Sequence, residues 1–230
     1  MSALWQDDTE LFALARTELF VAVVGDVLDK MGLQHQFLDP QLKPIDPAMV
    51  LIGRAMPVLE ADFFAERTSG KNPLSSKPFG LMFEALDDLA PHEIYICAGG
   101  SHRYALWGGL MSTRALQCGA GGAVVHGFHR DTKEILRLGF PVASFGSYAQ
   151  DQGSRGKVID WRVPIELNSV AVRPGDVIYG DLDGVIVVPA EAVEQAFAGA
   201  IEKVRGERNV MAALQDGMTA AEAFRKFGIM

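Results

Sequence analysis

From residue 93 to residue 145 the chain alternates short apolar runs with segments of helical periodicity. Residues 93–97 read as strand, 106–117 as helix, 122–125 as strand, 132–138 as helix and 142–145 as strand. A helix between successive strands supplies the crossover that parallel pairing requires, so this stretch predicts an α/β layer structure. Residues 49–58 are β-like and 40–47 read as loop. Later runs at 163–165, 170–172, 177–179 and 185–188 are split by the turn signals Pro174-Gly175-Asp176 and 181–184, the pattern of hairpins. In the N-terminal segment 8–31, Leu11, Leu14, Ala15, Leu19 and Val23 fall on one helical side before Gly32 ends the pattern, as one long helix or two short ones. Helical patterns return in the C-terminal segment 190–228, over 190–215 and 220–227. The expectation is a single α/β domain covering 1–230, with a β-rich centre and helices at both ends.

With 49% hydrophobic residues among 230, the chain can bury one substantial core. Its 21 Lys and Arg against 29 Asp and Glu give a net charge of −8, which argues against direct contact with nucleic acid. Cys97 and Cys118 suggest neither a disulfide framework nor a zinc cluster, and a reducing cytoplasm fits best. The opening MSALWQDDTELF is acidic where a signal peptide is basic, and no apolar run approaches the ~20 residues of a membrane span. Residues 66–77 form a polar stretch that reads as a flexible excursion or lid. Its Gly70-Lys71 pair lacks the earlier glycine and the following Ser or Thr of a phosphate loop, so a nucleotide reading fails.

The segment GAGGAVVHGFHRD, residues 119–131, carries the most chemistry. A buried apolar strand runs into Gly127 and then His129, Arg130 and Asp131, and strand ends are where α/β folds bind ligands. A guanidinium grips a carboxylate with two hydrogen bonds while Asp offers hard oxygen to Mg²⁺. Equally, Asp131 can cap the helix that starts near Thr132 and pair with an exposed arginine. His126 and His129 could share a metal only if the chain turns at Gly127, because alternate strand positions face opposite ways. A second glycine-rich stretch, Gly99-Gly100-Ser101-His102-Arg103-Tyr104 followed by Trp107-Gly108-Gly109-Leu110-Met111, can aim backbone N–H groups at an anion, or can simply make a turn.

Gly108-Gly109-Leu110-Met111, then GGAVVHGFHRD, then Phe140-Pro141-Val142, then PGDVIYGDLDGVIVVP at 174–189, resemble the RraA-like family. That family includes class II 4-hydroxy-4-methyl-2-oxoglutarate aldolases and the regulator of ribonuclease activity A. The likeness covers most of the chain, with Gly25-Asp26-Val27-Leu28-Asp29 fitting the first helix and Gly53-Arg54-Ala55 an early strand. It implies a swivelling β/β/α-type layered fold assembled as a homotrimer or hexamer, with sites at subunit interfaces. It further implies that Arg130 binds the pyruvyl part of a 2-oxo acid substrate and that Asp131 helps to hold Mg²⁺ or Mn²⁺. The amides of Leu110 and Met111 would receive the carboxylate, and Glu207 is the candidate for a glutamate reaching the site from a neighbouring subunit.

Three positions depart from the family pattern. Gly109 stands where the aldolases carry an acid supporting the metal's waters. His126-Gly127 replaces Asp-Gly, and His129 replaces a small apolar residue before Arg130-Asp131. A histidine there could restore a ligand or serve as a general acid. The resemblance therefore implies a divalent-metal-dependent lyase that releases pyruvate, with oxaloacetate decarboxylation as a companion activity, or alternatively a non-catalytic regulatory protein.

Overall fold

The computed structural model describes residues 4–63 and 71–228. The N-terminal pattern resolves into two helices, α1 (Asp8–Glu18) and α2 (Val21–Lys30). The Asp7 carboxylate accepts from the Glu10 N–H at 2.9 Å to cap α1, and Arg54 grips Asp8 through two hydrogen bonds of 2.8 and 2.6 Å, tying that helix to the sheet. The chain then enters β1 (Lys43–Pro44) and the long β2 (Leu51–Asp62), followed by α3 (Met82–Asp87), β3 (Glu93–Ala98) and β4 (Ala105–Trp107). Next come α4 (Gly109–Gln117), β5 (Gly122–Val125), β6 (Phe128–His129), α5 (Thr132–Leu138) and β7 (Val142–Ser144). The last third holds β8 (Gly156–Trp161), β9 (Ile165–Leu167), β10 (Val170–Val172), β11 (Val177–Asp181), β12 (Gly184–Val188), α6 (Val193–Gln215) and α7 (Ala220–Phe227).

The main sheet runs β1-β7-β5-β3-β2-β11-β12, with β8 also paired to β2. The β7-β5-β3-β2 pairings are parallel, and β11 and β12 are antiparallel. Residues 36–44 join the two edges. Phe37 bridges Ile186 of β12, while Lys43 and Pro44 pair with Ser144 and Ala143 of β7. This segment, of which 40–44 reads as loop, thus covers both edges, which would otherwise offer unpaired backbone groups.

Alternation along the strands divides the core. Ile94 and Ile96 of β3, Ile178 of β11 and Val185 and Val187 of β12 pack together with Leu42, Leu51 and Val124. The opposite face of β11 and β12, carrying Val177, Tyr179, Ile186 and Val188, packs on α1, α2 and α6. Tyr95 and Cys97 turn the other way, toward Trp107, Ala115, Ile135 and Phe140 on the α3–α4–α5 side. Strands buried on both faces read as continuous apolar runs, which is why the sequence marks them clearly.

Several elements differ from the sequence expectation. The helix expected at 106–117 begins only at Gly109, because Ala105–Trp107 pairs in parallel with Phe128–His129 as a strand. The strand expected at 163–165 lies at Ile165–Leu167, set there by a tight turn in which Asn168 and Ser169 both have positive φ. The β8 strand and the short α3 were not expected. Of the polar stretch at 66–77, residues 66–70 lie outside the described residues; Pro73–Ser76 forms a 3₁₀ turn onto which Lys157 donates, to the carbonyls of Leu74 and Ser75 at 2.8 and 3.0 Å.

Gly53 in β2 is required by close packing. A Cβ there would lie 2.1 Å from the His92 carbonyl oxygen, a backbone atom held by the Arg54 N–H. Gly53→Ala is expected to cost about 3 kcal/mol and to lower the thermal midpoint by about 10 °C, as read by calorimetry.

Candidate functional site

Arg130 and Asp131 follow the end of β6. The Arg130 N–H donates to the Trp107 carbonyl at 2.9 Å, which places the pair beside the start of α4. Asp131 sits in the left-handed region, with φ 60° and ψ 33°. Asp tolerates that conformation better than most residues, but it is a local strain of the kind that accumulates at functional sites. The Asp131 side chain makes no capping bond to α5, the helix it precedes. Its Oδ2 instead accepts from the Gly109 N–H at 3.0 Å, at the head of α4. The capping role open to Asp131 is therefore realised on the other helix, and its negative charge lies at the positive end of α4.

The Arg130 guanidinium is fixed from two sides. Its Nη1 lies 2.9 Å from Asp151 Oδ1 and its Nε 3.8 Å from Asp131 Oδ2. Gly108, Leu110, Met111, Arg130 and Asp131 line one cavity of about 360 Å³, together with Asp151, Gln152 and an apolar wall from α3. Gly109 faces an adjoining groove shared with Asp131 and Glu134. A side chain at 109 would meet Glu134, whose Cγ lies 3.1 Å from the position of a Cβ there. Leu110 and Met111 supply N–H groups from the first turn of α4, where a helix has no internal acceptors for them. Six of the seven residues that the sequence and its resemblance single out thus surround one place. Glu207 is not among the cavity's lining residues: it lies on α6, paired with Lys203, which also holds Asp26.

The two histidines do not meet at a metal. His129 is buried, with Nδ1 2.7 Å from Ser144 Oγ and Nε2 2.8 Å from Thr132 Oγ1, so both ring nitrogens are engaged in joining β6 to β7 and α5. Burial lowers its pKa below that of a free imidazole. His126 packs edge-on against His102 and Phe145, and burial together with the nearby His102 lowers its pKa too. The glycine turn at 99–104 closes on an internal acid: Asp62 accepts from the Ser101 N–H and the Tyr104 hydroxyl, both at 2.8 Å, and pairs with Arg103. At the head of α4, by contrast, the Gly109 N–H meets the Asp131 carboxylate.

Among the described residues no group of three or more His, Cys, Asp or Glu side chains could hold a metal unaided. Among the described residues both contacts of Asp131 use Oδ2, which leaves Oδ1 able to meet a cation. One carboxylate oxygen at the edge of a cavity suits an ion that retains most of its waters, as Mg²⁺ does, and not the closed ligand set of Zn²⁺.

Asp151 and Gln152 were not singled out from the sequence, where they lie in a polar turn without a motif. Gln152 is buried and donates its amide to Glu60 Oε2, so the cavity wall rests on a carboxyl inside the protein. Burial pushes the Glu60 pKa up to about 8.

The fold and site define a mixed α/β protein with a guanidinium–carboxylate pair beside a helix N-terminus, at the end of parallel strands. The chain belongs to the RraA-like family, described as Aldolase/RraA, whose model matches residues 21–187. It is 30% identical over 202 residues to a Halalkalibacterium halodurans protein provisionally named a 4-hydroxy-4-methyl-2-oxoglutarate aldolase, covering 87% of both chains. It is 26% identical over 203 residues to Protein DlpA of Legionella pneumophila, where the match takes in 88% of this chain but only 31% of DlpA. The fold is similar to that of Streptomyces coelicolor RraAS2, described as an unusual member of the RNase ES inhibitor RraA family, with a TM-score of 0.73 at 21% identity over 89% of this chain and 97% of that one. Among the described residues no helix is long and apolar enough to cross a membrane.

Proposed function

We propose that the protein is a divalent-metal-dependent lyase that cleaves a 4-hydroxy-2-oxo acid to pyruvate and a carbonyl compound. The observation that carries this reading is the convergence of Arg130, Asp131 and the first-turn amides of α4 on one cavity. The Leu110 and Met111 amides receive the substrate carboxylate at the positive end of the helix. Arg130, held in place by Asp151, binds the pyruvyl group and faces the oxygen on which charge develops. In the retro-aldol step the 4-hydroxyl gives up its proton to solvent, the C4–O bond becomes a carbonyl, and the C3–C4 electron pair passes into the C2–C3 enolate. Arg130 stabilises that enolate, which takes a proton at C3 to become pyruvate. Asp131 holds the metal, Mg²⁺ or Mn²⁺, which supplies Lewis-acid stabilisation of the same charge. Oxaloacetate losing CO₂ gives the same enolate, so decarboxylation accompanies the main activity.

The working form is a cytoplasmic homotrimer or hexamer in which Glu207 reaches the site of a neighbouring subunit. Sedimentation of the protein at micromolar concentration tests the assembly. The activity is tested by coupling pyruvate release to lactate dehydrogenase, with oxaloacetate, 4-hydroxy-4-methyl-2-oxoglutarate and a 4-hydroxy-2-oxo acid with an uncharged C4 substituent as substrates, with and without Mg²⁺ or Mn²⁺. Metal-dependent pyruvate formation is expected. Its absence with every metal and substrate sinks the lyase reading and favours a non-catalytic regulator, the alternative to which the missing acid at Gly109 points.

A further inference from the structure

We infer that the cavity selects 2-oxo acids whose far end is apolar and uncharged, an inference that rests on the lyase reading for its chemistry but on the cavity's own walls for its selectivity. Arg130 and the α4 amides fix one end of the occupant. The space beyond them is walled by Phe79, Met82, Phe83 and Leu86 from the α3 side and by Leu110 and Met111 from α4. Phe79 and Phe83 pack edge to face with ring centres 5.6 Å apart, making a continuous aromatic surface. Phe83 and Leu110 are 55% and 87% exposed, so this apolar surface lies open at the cavity mouth of the single chain.

Charge points the same way. Among the described residues the cavity's ionic lining is two guanidiniums, Arg114 and Arg130, against three carboxylates, Asp87, Asp131 and Asp151. Arg114 is paired with Asp87 at 2.8 Å and Arg130 with Asp151 at 2.9 Å, which leaves Asp131 as the excess negative charge. A divalent cation at Asp131 turns that excess into one positive charge, and a single substrate carboxylate neutralises it. Among the described residues, a second carboxylate at the far end would meet an aromatic wall and no lining guanidinium without a carboxylate partner. Burying it there is costly, whereas an alkyl or phenyl group gains by leaving water.

The test is calorimetric titration of the full chain in Mg²⁺ with 2-oxo-4-phenylbutanoate and with 2-oxoglutarate, which share the 2-oxo acid head and differ in the tail. The phenyl compound is expected to bind at least about tenfold tighter. Phe83→Arg, a change at an exposed position, is expected to reverse that order by removing apolar surface and adding a free cation. Equal or tighter binding of 2-oxoglutarate by the unaltered protein overturns the inference, as does an unchanged order in Phe83→Arg. Pyruvate release is measured on the same samples with 4-hydroxy-2-oxo acids bearing C4 methyl, phenyl or carboxylate groups. No release from any of them, with the binding order intact, overturns the lyase reading and leaves the tail selectivity standing; faster release from the carboxylated compound overturns the selectivity alone.

Discussion

Arg130→Ala is expected to reduce metal-dependent pyruvate release by about a thousandfold, because a fixed cation facing a developing enolate is worth roughly 10²–10³ in rate. Arg130→Lys tells how that cation works. Lysine keeps the charge but loses the planar fork that holds Asp151 while binding substrate, so it is expected to recover only a small part of the loss. Asp131→Asn separates the metal from the architecture. Asparagine also tolerates the left-handed backbone, and its carbonyl oxygen can still accept from the Gly109 N–H. The thermal midpoint should therefore stay within a few degrees while pyruvate release falls by at least about a hundredfold. Binding of Mn²⁺, followed by its water-proton relaxation, should weaken in parallel. If Asp131→Asn retains both activity and Mn²⁺ binding, Asp131 is a helix cap alone, and the metal, if one acts, is held elsewhere.

The Arg130-Asp131 pair was legible because it follows a run, Gly122 to Val125, whose burial on both faces makes it apolar throughout. What the pair does was not legible. The sequence offers Asp131 the helix immediately after it, and only the long-range pairing of β4 with β6 brings the head of α4 close enough to take the carboxylate instead. The same pairing misplaces the start of α4, since Ala105 to Trp107 fit a helical stripe as well as a strand. The β8 strand escaped notice because it carries Lys157 and Asp160. Lys157 is nonetheless buried, since backbone carbonyls of the 71–77 segment accept its protons. Asp151 had no local signal at all, because a carboxylate that positions an arginine is recognised only once the chain has brought the two together. The α3 wall was missed for a related reason: six residues without a capping side chain leave little periodicity to read.

Glu60→Gln is expected to stabilise the protein at pH 8 by on the order of 4 kcal/mol, and to do almost nothing at pH 4.5. Glu60 is 2% exposed; Gln152 donates to its Oε2, while its Oε1 and the Tyr95 hydroxyl are buried without a hydrogen-bond partner among the described residues. Burial raises the carboxyl's pKa from 4.5 to about 8, so at neutral pH the folded protein carries Glu60 protonated. Between those values the unfolded chain gives up a proton that the folded chain keeps. Rising pH therefore favours unfolding, and the stability present below pH 4.5 is lost progressively up to pH 8. The histidines act oppositely in part of that window. His126 and His129 have lowered pKa values, so their contribution is lost as pH falls below 6.5, and the pH profile of the unaltered protein mixes both slopes. The difference between the unaltered protein and Glu60→Gln isolates the carboxyl. Glutamine keeps its shape, accepts the Gln152 bond and has no charge to bury. Urea unfolding of both proteins from pH 4.5 to 9 should give curves that coincide at the acid end and diverge as pH rises. Parallel curves would mean that the folded protein ionises Glu60 as readily as the unfolded chain does, contrary to the raised pKa.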